Sequence, residues 1–279
     1  MITTNDISGI RAHVNSARNS GSRIALVPTM GALHAGHLAL VSAARTHADV
    51  VVVSIFVNPL QFGPGEDFSR YPRTLEADAE KLAQHGASIL FTPSAAEMYG
   101  DGPRTTVVPR AFANTFEGAI RPGHFTGVLT VVAKLFNLVV PDVAVFGRKD
   151  LQQLALITGM VVDLNFPLTV LDVDTVRERD GLALSSRNRY LSDADRARAS
   201  RIRAALVEAR SAFEAGLTDA AELEQRAKNV LAEDAALQVD YVAVVRESDF
   251  ARPAVAAPGD SIVTAVRLGG THLIDNILL

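Results

Sequence analysis

Two histidines three residues apart, His34 and His37, close the stretch Thr29-Met-Gly-Ala-Leu-His-Ala-Gly-His37. If Ile24–Val27 is a strand and a helix begins near Gly36, both imidazoles lie on one face of the helix start. The unpaired N–H groups of that first turn, with the positive end of the helix dipole, form a seat for phosphate. Neutral imidazoles placed there can donate hydrogen bonds to phosphoryl oxygens as charge develops on them. On its own, His-Ala-Gly-His reads equally well as a strand–turn–helix connection with two solvated rings.

Two further constellations carry charge and hydroxyls. In Phe146-Gly147-Arg148-Lys149-Asp150 the glycine admits close backbone approach and Lys149 suits phosphate as a point charge. Asp150 can cap a helix or hold a ligand donor. Leu184-Ser185-Ser186-Arg187-Asn188-Arg189 offers two hydroxyls and a bidentate guanidinium to a polyphosphate. Alone, the first reads as a solvated turn and the second as a polar linker. Gln61, just past Asn58-Pro59, and Gln153, one helical turn beyond Asp150, bear amides that both donate and accept. They suit a small substrate with hydroxyl and carboxylate groups. The acidic residues Glu76, Asp78 and Glu80 read as a solvated helix face, with a contribution to a cation as the alternative. The sequence contains no G-x-x-x-x-G-K-[ST] loop, no G-x-G-x-x-G fingerprint and no G-x-S-x-G elbow. Nucleotide binding must therefore use the histidine turn.

The elements that would position these residues alternate. Helices are expected at 6–19, from about 36 to 47, from 74 to Gly86, around 128–139 and at 151–163. Strands are expected at 23–29, 50–57, 88–92, 143–146 and 168–173. The run Val50–Val57 is apolar on both faces, as in a parallel sheet covered on both sides. Residues 61–71 read as a loop, and 94–122 as irregular with one extended piece at 105–108. The pattern predicts a doubly wound, Rossmann-like parallel sheet with ligands at the carboxyl ends of its strands. After about 190 the character changes. Ser192 with Asp195 opens a helix that stops at Gly216, and a second helix covers 218–233. Strands then follow at 239–245, 262–268 and 272–278, the last two joined by a Gly269-Gly270 hairpin. The expected division is 1–180 and a smaller α+β part, 181–279.

Composition bounds the class. The 279 residues are 48% hydrophobic and 21% charged, with 27 Lys and Arg against 31 Asp and Glu, a net charge of −4. That balance argues against a general nucleic-acid binder. Zero cysteines exclude disulfides, thiolate metal sites and a cysteine nucleophile. The apolar runs near 50–57 and 138–146 fall short of the roughly 20 residues of a membrane span. The first residues lack the basic and apolar regions of a secretion signal. A soluble, cytoplasmic protein is expected.

Six motifs occur in register: Pro28-Thr-Met-Gly-Ala-Leu-His34-x-Gly-His37, Phe56-Val-Asn-Pro-x-Gln61-Phe, Tyr71-Pro-Arg-Thr, His124-Phe-x-Gly-Val, Phe146-Gly-x-Lys-Asp-x-Gln-Gln153 and Ser185-Ser-Arg-Asn-Arg-Tyr-Leu191. Over nearly its whole length the chain resembles the pantoate–β-alanine ligases. The resemblance implies the HIGH-type nucleotidyltransferase fold, a homodimer, and a carboxy-terminal domain that closes over the site. It implies that pantoate and ATP, with Mg²⁺ held mainly by ATP oxygens and water, give a pantoyl adenylate that β-alanine then attacks. Neither nucleic acid nor membrane is an expected partner. By motif position, ATP would contact Met30, Gly31, Ala32, Leu33, His34, Ala35, Gly36 and His37, then Gly147, Arg148, Lys149 and Asp150, and finally Val176, Leu184, Ser185, Ser186 and Arg187. His37 would be the proton donor, with His34 and Lys149 as further catalytic groups. Gln61 would bind pantoate and β-alanine, and Gln153 pantoate. Asn58 and His124 also fall on motif positions, and their direct contacts rank below those of the other motif residues. Three residues depart from the family's usual pattern: Arg148 replaces an acidic residue, Leu184 a methionine and Ala35 a glutamate. Arg148 would add positive charge beside Lys149. Other readings are a nucleotide-transferring relative, a tRNA-charging relative and a non-catalytic nucleotide sensor. The tRNA-charging relative would need tRNA-binding modules for which the chain has little room.

Overall fold

The computed structural model describes the backbone of residues 1–279 and every side chain except that of Ala111. The chain divides into two compact units, 1–148 with 156–174, and 149–155 with 175–279. In the first unit a six-stranded sheet runs in the order β1-β4-β3-β2-β5-β6, with neighbouring strands parallel throughout. Its strands are β1 (Ile2–Thr4), β2 (Ile24–Thr29), β3 (Val50–Ile55), β4 (Ile89–Phe91), β5 (Val143–Gly147) and β6 (Thr169–Val173). The helices are α1 (Ile7–Asn19), α2 (Ala35–Arg45), α3 (Leu75–Gln84), α4 (Ala95–Tyr99), α5 (Glu117–Ile120) and α6 (His124–Val139), and α7 (Leu151–Asp163) runs from the second unit into the first.

The sheet is the expected doubly wound one, and its central strands are buried along most of their length. Leu33, Leu40, Val41 and Ala44 of the histidine turn and α2 share one apolar cluster with Val51, Val53 and Val145. Burial of those side chains fixes the axis of α2 against the strand ends, each fully covered Val or Leu contributing about 1.5–3 kcal/mol.

Two sequence expectations are corrected. β1 is absent from the expected strands, since three residues are too few to show alternation. The piece 105–108 joins no ladder; Val107 N–H donates to Thr130 Oγ1 at 3.0 Å. The segment 94–122 instead holds α4, a 3₁₀ turn at Ala111–Asn114 and α5. Ser94 Oγ caps α4 by accepting from Glu97 N–H at 3.0 Å.

The second unit contains α8 (Asp193–Glu214), α9 (Ala220–Ala232) and the antiparallel sheet β7 (Gln238–Arg246), β8 (Asp260–Leu268), β9 (Thr271–Leu278). Ser192 Oγ accepts from Asp195 N–H at the start of α8, as its spacing predicts. The β8–β9 turn has φ of +57° at Gly269 and +78° at Gly270; two successive positive values suit glycine pairs in tight hairpins. Leu206 and Leu223 pack with Val244, Ile262 and Val266. Leu206 is fully buried, so Leu206→Ala will lower the unfolding free energy by about 2–5 kcal/mol in urea titrations.

Candidate active site

At the carboxyl end of β2 the chain reverses sharply. Gly31 has φ +83° and Ala32 φ +51°, the left-handed region in which a side chain is strained. A Cβ on Gly31 would stand 3.0 Å from Ile55 Cγ2 and 3.3 Å from Asp78 Oδ2. Two peptide N–H groups then turn inward onto one carboxylate. Ala32 donates to Asp78 Oδ2 at 2.8 Å and Leu33 to Oδ1 at 2.9 Å. Thr74 Oγ1 adds a third bond at 3.0 Å. Lys81 Nζ lies 3.8 Å from the carboxylate and donates to Leu33 O at 2.8 Å. Asp78 is 0% exposed, which corrects the expectation of a solvated face; only Glu76 and Glu80 match it.

Beyond this clasp α2 starts at Ala35, with His34 as its N-cap and His37 three residues on. His34 N–H donates to His37 Nδ1 at 3.3 Å, and the two rings are 4.1 Å apart at 38°. A ring whose Nδ1 accepts carries its proton on Nε2 when neutral. His37 is thereby set as an Nε2–H donor. No acidic residue occupies the first turn of α2, so the positive end of its dipole is not neutralised from within the helix.

Gln61 is oriented with equal economy. Tyr99 Oη and Leu60 N–H both donate to Asn58 Oδ1, at 2.8 and 3.3 Å. Asn58 Nδ2 therefore faces Gly127 O at 3.1 Å and Gln61 Oε1 at 3.0 Å. That leaves the Gln61 Nε2 donors toward Met30 Sδ at 3.2 Å, a weak acceptor that a carboxylate or hydroxyl can displace. Behind the amide, the Gln61 carbonyl accepts from His124 Nδ1 at 2.9 Å and Arg121 Nη2 at 3.3 Å. Arg121 also donates to His124 Nε2 and bonds Glu66 with two nitrogens. Burial and the adjacent Arg121 charge depress the His124 imidazole to about 4. Burial works to raise the Glu66 carboxyl, but the Arg121 bond and charge outweigh it and hold it below the usual range. Burial pushes the Tyr99 phenol up. Sequence reasoning ranks direct ligand contacts of Asn58 and His124 below those of the other motif residues; in the structure both bond Gln61.

Arg148 donates to Asp172 Oδ2 at 2.8 Å and lies 4.0 Å from Asp174. Its charge is met by β6 and the residue after it, where the sequence suggests an added cation beside Lys149. Gly147 ends β5, and a Cβ there would meet nothing closer than Leu40 at 3.9 Å, so the protein's own packing does not demand a glycine.

In the second unit, Arg177 forks onto the buried Asp275 at 2.6 and 2.9 Å and also bonds Gly181 O and Asn276 O. Asn276 Nδ2 reaches Lys149 O at 3.0 Å. Leu184 N–H donates to Val176 O at 3.0 Å, so two expected ATP residues stand side by side across a short antiparallel turn. Ser185 Oγ accepts from Arg187 N–H at 3.3 Å, capping the 3₁₀ turn Ser186–Tyr190. One network thus ties Lys149, Val176, Leu184 and the 185–187 turn together. Gln153 lies half-buried in the first turn of α7.

Fold and site define a parallel α/β enzyme whose paired histidines follow a central strand and whose polar amides follow the neighbouring one. Over residues 2–278 the sequence matches the family described as Pantoate-beta-alanine ligase, and the chain belongs to that family. The pantothenate synthetase of Acidothermus cellulolyticus is 56% identical over 91% of this chain and 84% of its own length. That of Xanthomonas axonopodis pv. citri is 51% identical over 99% and 98%. Among solved structures, a pantothenate synthetase from Thermus thermophilus superposes with a TM-score of 0.95 at 44% identity, covering 100% of this chain and 99% of its own. The Francisella tularensis pantoate–β-alanine ligase, complexed with beta-gamma ATP and β-alanine, gives 0.81 at 34% identity over 100% and 97%.

An alanine Cβ at position 127 would overlap Leu60 O and stand 2.6 Å from Gln61 N. Gly127→Ala will displace the Gln61 turn and raise the KM for pantoate by roughly tenfold, at near-normal KM for ATP. The unfolded chain protonates His124 near 6.5 and the folded one only near 4. Stability from the neutral ring is therefore complete above pH 6.5 and is lost as pH falls toward 4, by up to about 1.4 kcal/mol per pH unit. Urea titrations at pH 7 and pH 5 will show wild type losing more stability than His124→Asn, which cannot titrate.

Proposed function

We propose that the chain condenses pantoate with β-alanine in two steps, through a pantoyl adenylate. As a member of the pantoate–β-alanine ligase family it is an ATP-dependent ligase that forms pantothenate. In the first step a pantoate carboxylate oxygen attacks the α-phosphorus of ATP and pyrophosphate leaves. In the second the β-alanine amine attacks the acyl carbon, the C–O bond to AMP breaks, and the amine sheds a proton. Neither step needs a covalent enzyme nucleophile; both need charge stabilisation and alignment.

The observation that carries this reading is the bond from His34 N–H to His37 Nδ1. It presents Nε2–H as a donor beside the start of α2, whose first turn carries no acidic residue and where phosphoryl oxygens gather negative charge. Because the Ala32 and Leu33 amides already bond Asp78, the phosphate donors in this turn are the amides of Ala35 and Gly36 and the two imidazoles. Gln61 Nε2 holds the acid substrate and later the amino acid, with Gln153 as a second contact to pantoate. Lys149, Asp150, Val176, Leu184, Ser185, Ser186 and Arg187 complete the ATP contacts, with Met30, Gly31, Gly147 and Arg148 lining its path through their backbone. Gly147 supports this, since its missing side chain leaves room that the protein does not fill. Mg²⁺ enters with ATP, held by phosphate oxygens and water; no group of three His, Asp or Glu side chains among the described residues could hold a metal ion. Residues 1–180 serve nucleotide and pantoate, and 181–279 form a closing domain. The working form is a cytoplasmic homodimer. No helix of the described residues is long and apolar enough to cross a membrane.

Pyrophosphate release tests the reading. With Mg-ATP and pantoate alone the enzyme will release a burst limited to a single equivalent per site, and adding β-alanine will start turnover. His37→Ala will slow the burst by about 10²-fold or more. Bound ATP with no pyrophosphate under either condition would overturn the ligase course.

A further inference from the structure

We infer that Asp78 is a positioning residue for adenylation, acting through the histidine turn. The inference rests on the reading of that turn as the ATP phosphate seat. Successive N–H groups in a left-handed turn make a concavity that binds an anion. In this chain the anion in the concavity is the protein's own carboxylate. Asp78 receives Ala32 N–H and Leu33 N–H at 2.8 and 2.9 Å, and Lys81 grips the Leu33 carbonyl at 2.8 Å. Both polar groups of Leu33 are thus held from α3. The next N–H along the chain, that of His34, is the one that donates to His37 Nδ1. The direction of the His34 N–H vector, and with it the position of the His37 ring, follows from the peptide plane that Asp78 and Lys81 fix.

An amide in place of the carboxylate cannot serve both peptide donors, because its NH₂ would face one of them. The left-handed Ala32 would then relax, and a shift of about 1 Å in the ring is enough to cost on the order of 10²-fold in rate. Asp78 itself is fully enclosed and its bonds are intramolecular, so it acts at one remove from substrate.

The test is a double-mutant cycle on single-turnover pyrophosphate release with Mg-ATP and pantoate. Asp78→Asn will slow release by about tenfold or more in the wild-type background. In His37→Gln, which keeps a donor near Nε2 but removes the Nδ1 acceptor, the same substitution will slow it less than about threefold. Equal factors in both backgrounds would overturn the inference, since a loss of folded protein acts equally on each. Full activity in Asp78→Asn would overturn it outright. If Asp78→Asn does not fold, Lys81→Met frees the Leu33 carbonyl, and with it the Leu33–His34 peptide plane, from a partly exposed position, and the same non-additivity with His37→Gln is required. Absence of pyrophosphate from wild type is a separate failure, that of the phosphate-seat reading.

Discussion

A peptide turn that must run through left-handed conformations needs something to hold it there. Between β2 and α2 that something is a carboxylate removed from water, bonded to two consecutive N–H groups and to a threonine hydroxyl. The parallel sheet delivers the turn to the carboxyl ends of its strands, and the apolar cluster beneath α2 sets the helix axis. Neither determines how the residues joining strand to helix are threaded. Asp78 does, and the cap geometry of His34 and the tautomer of His37 follow from the path it imposes.

The same economy governs the amide that follows β3. A glutamine side chain rotated by half a turn would present oxygen where a donor is wanted, and the two are nearly equal in shape. Here the choice is made several groups away. The Leu60 N–H can only donate and the Gly127 carbonyl can only accept, so Asn58 has a single consistent orientation, and Gln61 inherits it. The close approach of α6 at Gly127 makes this possible, because any Cβ there would strike the Leu60–Gln61 backbone.

How far the sequence discloses this differs by level. Alternation of apolar runs with helical spacing marks every strand of the large sheet except β1, whose three residues are too short for a pattern. Paired glycines and a Ser-x-x-Asp start mark the hairpin and α8 correctly, because those signals are local. The segment 94–122 reads as irregular because its helices α4 and α5 are too short to show helical spacing. The histidines and Gln61 are visible as motif residues. Asp78 is not, since an acid in a charged helix looks like one that faces water and its partners lie 45 and 46 residues away. The ion pairs of Arg148 are hidden for the same reason: Asp172 and Asp174 belong to a different strand region.

The energetics of the clasp separate holding a shape from adding stability. Taking a carboxylate out of water costs several kcal/mol even after relaxation. Hydrogen bonds to a charged group return about 1.5–3 kcal/mol each, and Asp78 accepts three, so the two effects roughly balance. Lys81, partly exposed and 3.8 Å away, adds little in a solvent-screened position. An apolar side chain in the same space would leave the Ala32 and Leu33 N–H groups and the Thr74 hydroxyl without their acceptor, at about 1–3 kcal/mol for each group that stays buried, and the turn would have to open to find other partners. What the carboxylate supplies is a single permitted conformation for the residues leading into His34, and a reaction that depends on alignment of phosphoryl oxygens with fixed donors is sensitive to that and not to a kilocalorie of global stability.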